Sequence, residues 1–354
     1  MRVVRIPDEK SSVKALQIVR IGQPLEERDV PTPQAGRGEI VVRVAAAGIC
    51  HSDAHYRAGT SSVGPLPLTP GHEVAGTVTQ VGEGVTSVSA DDRVALHYLV
   101  TCGVCEYCVR GLEQFCTSGK MIGKHRDGGY AEFVVVPAQN AVRIPTQVSF
   151  DEAAIMMCST ATAYHALRRA RLSAGDTVAI LGVGGLGMSA VQLARACGAA
   201  KVYAVDIDPV KLAQAEAYGA VPVAGANAVA EIRAHTGGRG VDVAVELAGL
   251  PVTQEQAVQL LAVHGRASLA GITQKPFSIS SYATVINSES EIIGVSDHLR
   301  GELTTLMDFA ARGLIDLRGI VGKKVPLDPL MVNEVLDSLQ AFKGIARTVI
   351  SFSI

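Results

Sequence analysis

The apolar positions of the chain fall into two rhythms. From about Val13 to Ile144 they form short runs, VKALQIV, EIVVRVAAAG, EVAGTVTQVG, DRVALHYLV and YAEFVVVP, broken by proline and glycine. Dense β-branched runs with turn signals between them predict a compact, mostly antiparallel β domain. After Ser149 strand-like runs alternate with helical ones: TVAILG, MSAVQLARACG, KVYAVDI, PVKLAQAEAYG, VDVAVELAG, VTQEQAVQLLAVHG and RASLAG. That alternation predicts βαβ units and a parallel sheet covered by helices on both faces. The rhythm breaks near EIIGVSD. Glu302 to Arg312 then reads as an amphipathic helix, and the tail from VGKKVPLDPL onward does not continue the alternation. The tail is therefore assigned back to the first domain. Residues 1–155 with 298–354 are expected to form a catalytic domain and 156–297 an inserted cofactor domain, with the cleft between them. Met1 to Ser12 carries no clear pattern.

A length of 354 residues exceeds what one hydrophobic core usually sustains, which agrees with two domains. With 48% hydrophobic residues, 19% charged residues and 36 glycines, the composition is that of a glycine-rich α/β protein. A net charge of −2 offers no clustered positive footprint for nucleic acid or anionic lipid, and the absence of Trp argues against a base-stacking surface. Small neutral molecules are the expected partners. The opening MRVVRIPDEK has no apolar signal core, so a cytoplasmic location is expected. Thr177 to Ala194 lacks charge, but its glycines at 182, 184, 185 and 187 divide it into strand, turn and helix start rather than a membrane span.

Those glycines carry the first chemistry. Gly182, Gly184 and Gly187 form G-x-G-x-x-G between the strand TVAIL and a helix, and Gly185 and Leu186 lie within the same turn. The spacing supplies a tight turn, close approach of backbone to a pyrophosphate, and helix–strand packing without a Cβ in the way. Asp206 ends the next strand, where its carboxylate accepts bonds from adenosine ribose hydroxyls and repels a 2′-phosphate; no Arg follows at 207. NAD is thus favoured over NADP. The competing reading makes Asp206 a cap for the helix that begins at Pro209. Lys211, one turn on, either reaches the ribose or sits on a solvated face.

Seven cysteines without a secretory signal read as metal or nucleophile chemistry rather than a disulfide framework. Cys102, Cys105, Cys108 and Cys116 follow C-x2-C-x2-C-x7-C, and four thiolates so close can complete a tetrahedron around Zn²⁺ with no position left for water. An iron–sulfur cluster and redox thiols are the alternatives. Cys50 follows a strand in GICHSD, His72 follows a Pro-Gly turn in PGHE, and Cys158 lies in MMCSTATAY. Two thiolates and an imidazole leave a fourth zinc position open for substrate, provided the three converge. Cys197, in the apolar LARACG, is expected to be a small core residue.

From Val13 to its C-terminus the chain resembles the zinc-dependent medium-chain alcohol dehydrogenases. The likeness rests on GICHSD at Gly48 to Asp53, GHE at Gly71 to Glu73, the four-cysteine loop, Cys158 and GVGGLG at Gly182 to Gly187, in that order. The resemblance implies a Rossmann doubly wound sheet beside a mostly antiparallel, GroES-like catalytic domain. It implies two zinc ions per chain: a catalytic one on Cys50, His72 and Cys158, with Glu73 as a transient ligand, and a structural one on the cysteine loop. Asp53 matches the carboxylate that orients the zinc-bound histidine. Ser52 matches the hydroxyl that takes the substrate proton, and His55 the imidazole that ends the relay at solvent. His51 and Arg347 are implied at the cofactor pyrophosphate, Thr162 and Leu186 at the nicotinamide, Tyr56 and Tyr98 in the substrate pocket. Met1 to Ser12 is an extension relative to the family.

The expected reaction is hydride transfer between NAD(H) and a primary or secondary alcohol and its aldehyde or ketone. A polyol or other specialised dehydrogenase is the rival, against which Cys158 speaks because that branch commonly carries Glu there. A non-catalytic NAD-binding scaffold would have lost these ligands. The family's assemblies imply a homo-oligomer, a tetramer before a dimer.

Overall fold

A computed structural model describes residues 11–341 and 347–352 of the chain. Most of the extension, Met1 to Lys10, lies outside the described residues, and its last residue, Ser12, opens the strand Ser12–Gln17. Two compact units separate: one holds the chain up to Cys158 together with Leu299–Ala311 and the segment from Leu317 onward, the other Ser159–His298 with Arg312–Asp316.

The first unit is built around the strand Glu39–Ile49, whose Ile40, Val41, Val42, Val44, Ala46 and Ala47 are all buried. A run with so few polar positions is buried on both faces, and this strand has neighbours on both sides. Glu73–Val81 pairs antiparallel along one edge. Phe133–Pro137 takes the first half of the other edge, and Arg347–Ser351 the second half. Arg93–Leu96 and Ala141–Arg143 extend the sheet beyond Glu73–Val81, and Val321–Val325 lies beyond Arg347–Ser351. The registers place the site. Gly48 lies opposite Glu73, and Ile49 opposite Thr348, so Cys50, His72, Glu73 and Arg347 emerge at one end of three adjacent strands.

The tail differs from its sequence reading. Val321–Val325 and Arg347–Ser351 are parallel, and between them runs the helix Pro329–Gln340, capped by the Asp328 carboxylate on the Met331 N–H. It is a βαβ unit in its own right, with strands too short and polar at Gly322, Lys323 and Lys324 to show the pattern.

The second unit carries a six-stranded parallel sheet. In order across the sheet its strands are Val221–Ala224, Lys201–Asp206, Thr177–Leu181, Val241–Glu246, Leu261–Leu269 and Glu291–Gly294. Counted by chain position this is 3-2-1-4-5-6, the doubly wound dinucleotide order, whose direction reverses between Thr177–Leu181 and Val241–Glu246. The sequence reading passed over Val221–Ala224 and the helix Ala228–His235, and it ran VTQEQAVQLLAVHG together as one helix. That helix, Pro251–Gln259, ends two residues before Leu261, where a strand starts that pairs with Val241. The apolar LLAV suits either state locally, and pairing inside the sheet decides it. Among the described residues no helix is long and apolar enough to cross a membrane.

Candidate active site

The strand Glu39–Ile49 runs out at Cys50, which is the residue before the helix His51–Ala58. Asp53, at the third position of that helix, turns its carboxylate back so that Oδ2 accepts the Cys50 N–H at 2.9 Å. Its other oxygen, Oδ1, stands 3.1 Å from His72 Nδ1, and both side chains are buried. In the neutral imidazole the Asp53 carboxylate takes the Nδ1–H and the lone pair falls on Nε2, the tautomer a metal-bound imidazole needs. His72 closes the turn that precedes Glu73–Val81. Cys158 comes from a π-helical turn, Met156–Thr160, which follows the helix Phe150–Ile155 with its Ser149–Glu152 capping box.

These elements bring Cys50, His72, Glu73 and Cys158 together, with one donor atom from each lying within 4.8 Å of all the others. Gly48 is required there, because a Cβ on it would stand 2.0 Å from Glu73 Oε2. The cluster is electrostatically unfinished. Its hydrogen bond with Cys158 holds the Cys50 thiol well below the ordinary thiol range, while that bond and burial push Cys158 well above it. Burial lifts Glu73 to about 7 against the pull of Arg347. Burial pulls the His72 imidazole down, but Asp53 and Cys50 outweigh it and leave it well above its ordinary value. Glu73 Oε1 is buried with no hydrogen-bond partner. Two sulfurs, an imidazole nitrogen and an orphaned carboxylate oxygen fit a divalent zinc ion.

Arg347 is buried and its guanidinium bonds the Glu73 carboxylate. The sequence reading had it at a pyrophosphate, and the pairing with Glu73 was not foreseen. Ser52 is half-buried next to Cys50, and His55 is exposed one turn on, its ring stacked on that of His51 with centroids 4.8 Å apart. His55 Nδ1 lies 2.8 Å from Thr60 Oγ1, and that hydroxyl itself donates to the His55 carbonyl. The Thr60 oxygen must then accept from Nδ1–H, which leaves His55 Nε2 basic. Burial lowers His51, and His55 adds to the effect. Tyr98 and Tyr56 both pack edge-to-face with the His72 ring, at centroid distances of 5.3 and 6.2 Å.

Sequence reasoning missed Tyr130. Its fully buried hydroxyl donates to Asp53 Oδ2 at 3.1 Å, and burial together with Asp53 pushes its pKa well up, so it stays a donor. The sequence places Tyr130 only as the first residue of the strand run YAEFVVVP, whereas regular pairing begins later, at Phe133.

The four cysteines of the loop also converge, with a donor atom from each within 4.8 Å of the others. Backbone N–H groups of Cys102 and Cys105 point at Cys116 Sγ and Cys102 Sγ, both at 3.3 Å. Backbone N–H groups that bond its sulfur lower Cys105 to about 6, whereas Cys108 is pushed to about 12, first by desolvation. All seven cysteines are free thiols. Cys197 is half-buried at the C-terminal cap of its helix rather than in the core.

In the second unit the glycine turn runs from Gly182 to the start of the helix Gly185–Ala196. Gly182 has φ +89°, and a Cβ on Gly187 would stand 2.1 Å from the Gly182 carbonyl oxygen. A Cβ on Gly184 would meet nothing within 4 Å, so that face is open to a ligand. Asp206 Oδ2 accepts the Val183 N–H at 2.9 Å, and Oδ1 accepts from Ile207 and Asp208 at 2.8 and 3.0 Å. The helix cap that competed for Asp206 is supplied by Asp208, which bonds the Val210 N–H. Thr162, Leu186 and Lys211 are each half-buried, Thr162 on Ala161–Arg169 and Lys211 on Pro209–Ala217.

Residues 36–146 match the family model described as alcohol dehydrogenase GroES-like domain, and residues 185–312 that of zinc-binding dehydrogenase. The chain belongs to the zinc-dependent medium-chain alcohol dehydrogenases. The dehydrogenase is 33% identical over 350 residues to an NAD-dependent alcohol dehydrogenase of Sulfurisphaera tokodaii, covering 96% of this chain and 99% of that one. It is 36% identical to an alcohol dehydrogenase of Geobacillus stearothermophilus over 92% of this chain and 96% of the other. The solved structure of an alcohol dehydrogenase from Thermus sp. ATN1 superposes with a TM-score of 0.87 at 27% identity, covering 96% of this chain and 99% of that one. The dehydrogenase is an NAD-linked alcohol oxidoreductase acting on small molecules.

Proposed function

We propose that Cys50, His72 and Cys158 hold the zinc of the alcohol-oxidising centre, with Glu73 as a reserve ligand, and that Cys102, Cys105, Cys108 and Cys116 hold a second, structural zinc. The observation that carries this reading is the buried convergence of two thiols and an oriented imidazole with an orphaned carboxylate oxygen behind them. When bound, zinc lowers the pKa of an alcohol as a Lewis acid and NAD takes up the hydride. The remaining work falls to the chain. Ser52 accepts the substrate proton, and His55, its Nε2 left basic by Thr60, delivers it to solvent. Asp53 holds His72 in the tautomer that presents Nε2. Arg347 holds the Glu73 carboxyl in reserve through its guanidinium.

Gly182, Gly184, Gly185 and Gly187 are proposed to seat the pyrophosphate, with Asp206 and Lys211 at the adenosine ribose, His51 and Arg347 at the phosphates and Thr162 and Leu186 at the nicotinamide. The open space at Gly184 supports the seat, and the ribose assignment draws support from an Asp206 that is not spent as a helix cap. Primary and secondary alcohols are the proposed substrates, turned over by a cytoplasmic homotetramer. A panel of primary, secondary and benzylic alcohols assayed with NAD⁺ and NADP⁺, before and after chelation, tests the reading. Turnover with NAD⁺ should vanish on metal removal and return with zinc; turnover that survives in metal-free protein contradicts it.

A further inference from the structure

We infer that Tyr130 is a positioning residue of the Cys50–His72–Cys158 centre, one side chain that locks the two segments delivering Cys50 and His72 to each other. The inference rests on the proposed metal-binding role of that centre. Tyr130 is fully buried and touches both segments. Its ring fills the space beside Gly71, the residue before His72, so closely that a Cβ on Gly71 would stand 2.3 Å from Cδ1 of the ring. The backbone around it runs along the same turn: Gly128, Gly129 and Tyr130 donate to the carbonyls of Thr69, Gly71 and Pro70 at 2.8, 2.8 and 3.1 Å. The position of Tyr130 is therefore the position of the His72 turn.

The hydroxyl reaches the other segment. It donates to Asp53 Oδ2 at 3.1 Å, the oxygen that also takes the Cys50 N–H at 2.9 Å. Two donors on Oδ2 orient the carboxylate so that Oδ1 points at His72 Nδ1. Remove the hydroxyl and Asp53 keeps one donor on Oδ2, is freer to rotate about its terminal torsion, and holds the imidazole less firmly. The tyrosine touches no reacting atom; it acts through Asp53 on the direction of His72 Nε2. Losing the carboxylate that orients a metal-binding histidine costs about 10–100-fold in metal retention or activity, and loosening it through the tyrosine is expected to reach the lower end of that range.

The test is chelator-driven zinc release, followed with the colour of a metal indicator, in wild type and Tyr130→Phe, which keeps the ring and therefore the packing against Gly71. The phase belonging to this centre is the one absent from Cys50→Ala. In Tyr130→Phe that phase should run about tenfold faster or more, with release from the cysteine loop unchanged. In an Asp53→Asn background, where release is already fast, adding Tyr130→Phe should change nothing further, because the hydroxyl acts through that carboxylate. Release at the wild-type rate in Tyr130→Phe overturns the inference, as does an equal acceleration with and without Asp53→Asn, which would mark a general packing role. A wild type with no phase assignable to Cys50 overturns instead the reading of the metal centre on which the inference stands.

Discussion

Asp53 divides its two oxygens between different tasks, Oδ1 to His72 and Oδ2 to the Cys50 N–H and Tyr130, and the site depends on that division. Cys50, His72, Glu73 and Cys158, which the fold brings together, could be picked out in the sequence because few residue types bind zinc and their motifs keep a fixed order. Tyr130 was not, since its hydroxyl works across 77 residues and nothing local marks it. The Arg347–Glu73 pair spans 274 residues and was equally hidden. Ser52→Ala should lower kcat about 10²–10⁴-fold with the NAD dissociation constant unchanged, by stopped-flow and fluorescence titration; turnover within a factor of about two of wild type would remove Ser52 from the proton path. His97 gives a prediction for stability. Burial, with Arg300 adding to it, lowers its imidazole from 6.5 to about 3. The folded state keeps it neutral while the unfolded chain protonates it below 6.5, so its contribution is intact above that value and is lost as pH falls toward 3. The loss approaches about 1.4 kcal/mol per pH unit in that window. His97→Asn should flatten the fall of the thermal midpoint between about pH 6 and pH 4.5 relative to wild type; parallel curves would contradict the assignment.

The glycine turn and the strand after it illustrate what an element can and cannot reveal of itself. Its spacing was legible because each glycine answers a different steric demand: Gly187 lacks room for a Cβ inside the protein, whereas Gly184 has open space around it. The two substitutions should therefore part company. Gly187→Ala drives a methyl against the Gly182 carbonyl and should cost about 1–3 kcal/mol of stability as well as cofactor affinity. Gly184→Ala should leave the thermal midpoint unchanged and weaken NAD binding alone, read by calorimetry on both variants. Equal stability losses would mean that Gly184 is packing rather than cofactor space. Asp206 carries the turn too, through the Val183 N–H, so Asp206→Ala should weaken NAD more than tenfold and raise the relative use of NADP⁺ in the same assay. Where an element stayed illegible, the cause was pairing. LLAV became the start of Leu261–Leu269 because Val241 lay ready to pair with it, and the polar Val321–Val325 became a strand because Arg347–Ser351 supplied its partner.

On the scale of the whole molecule, the change in rhythm after Ser149 announced two kinds of sheet, and both are present: a mixed sheet carrying Cys50, His72, Glu73 and Arg347 at one end, and a parallel sheet in 3-2-1-4-5-6 order. Composition offered no charged footprint for nucleic acid or a membrane surface but could not select an alcohol, because the shape of a substrate pocket is set by packing rather than by pattern. The roles proposed for the two cysteine-containing clusters require one chain to hold two zinc ions. Zinc counted per chain by elemental analysis, in wild type, Cys50→Ala and Cys108→Ala, tests it most directly. About two ions are expected in wild type and about one in each variant, with turnover abolished and NAD binding intact in Cys50→Ala. A Cys50→Ala protein that keeps the full wild-type zinc content and near-normal turnover would contradict it.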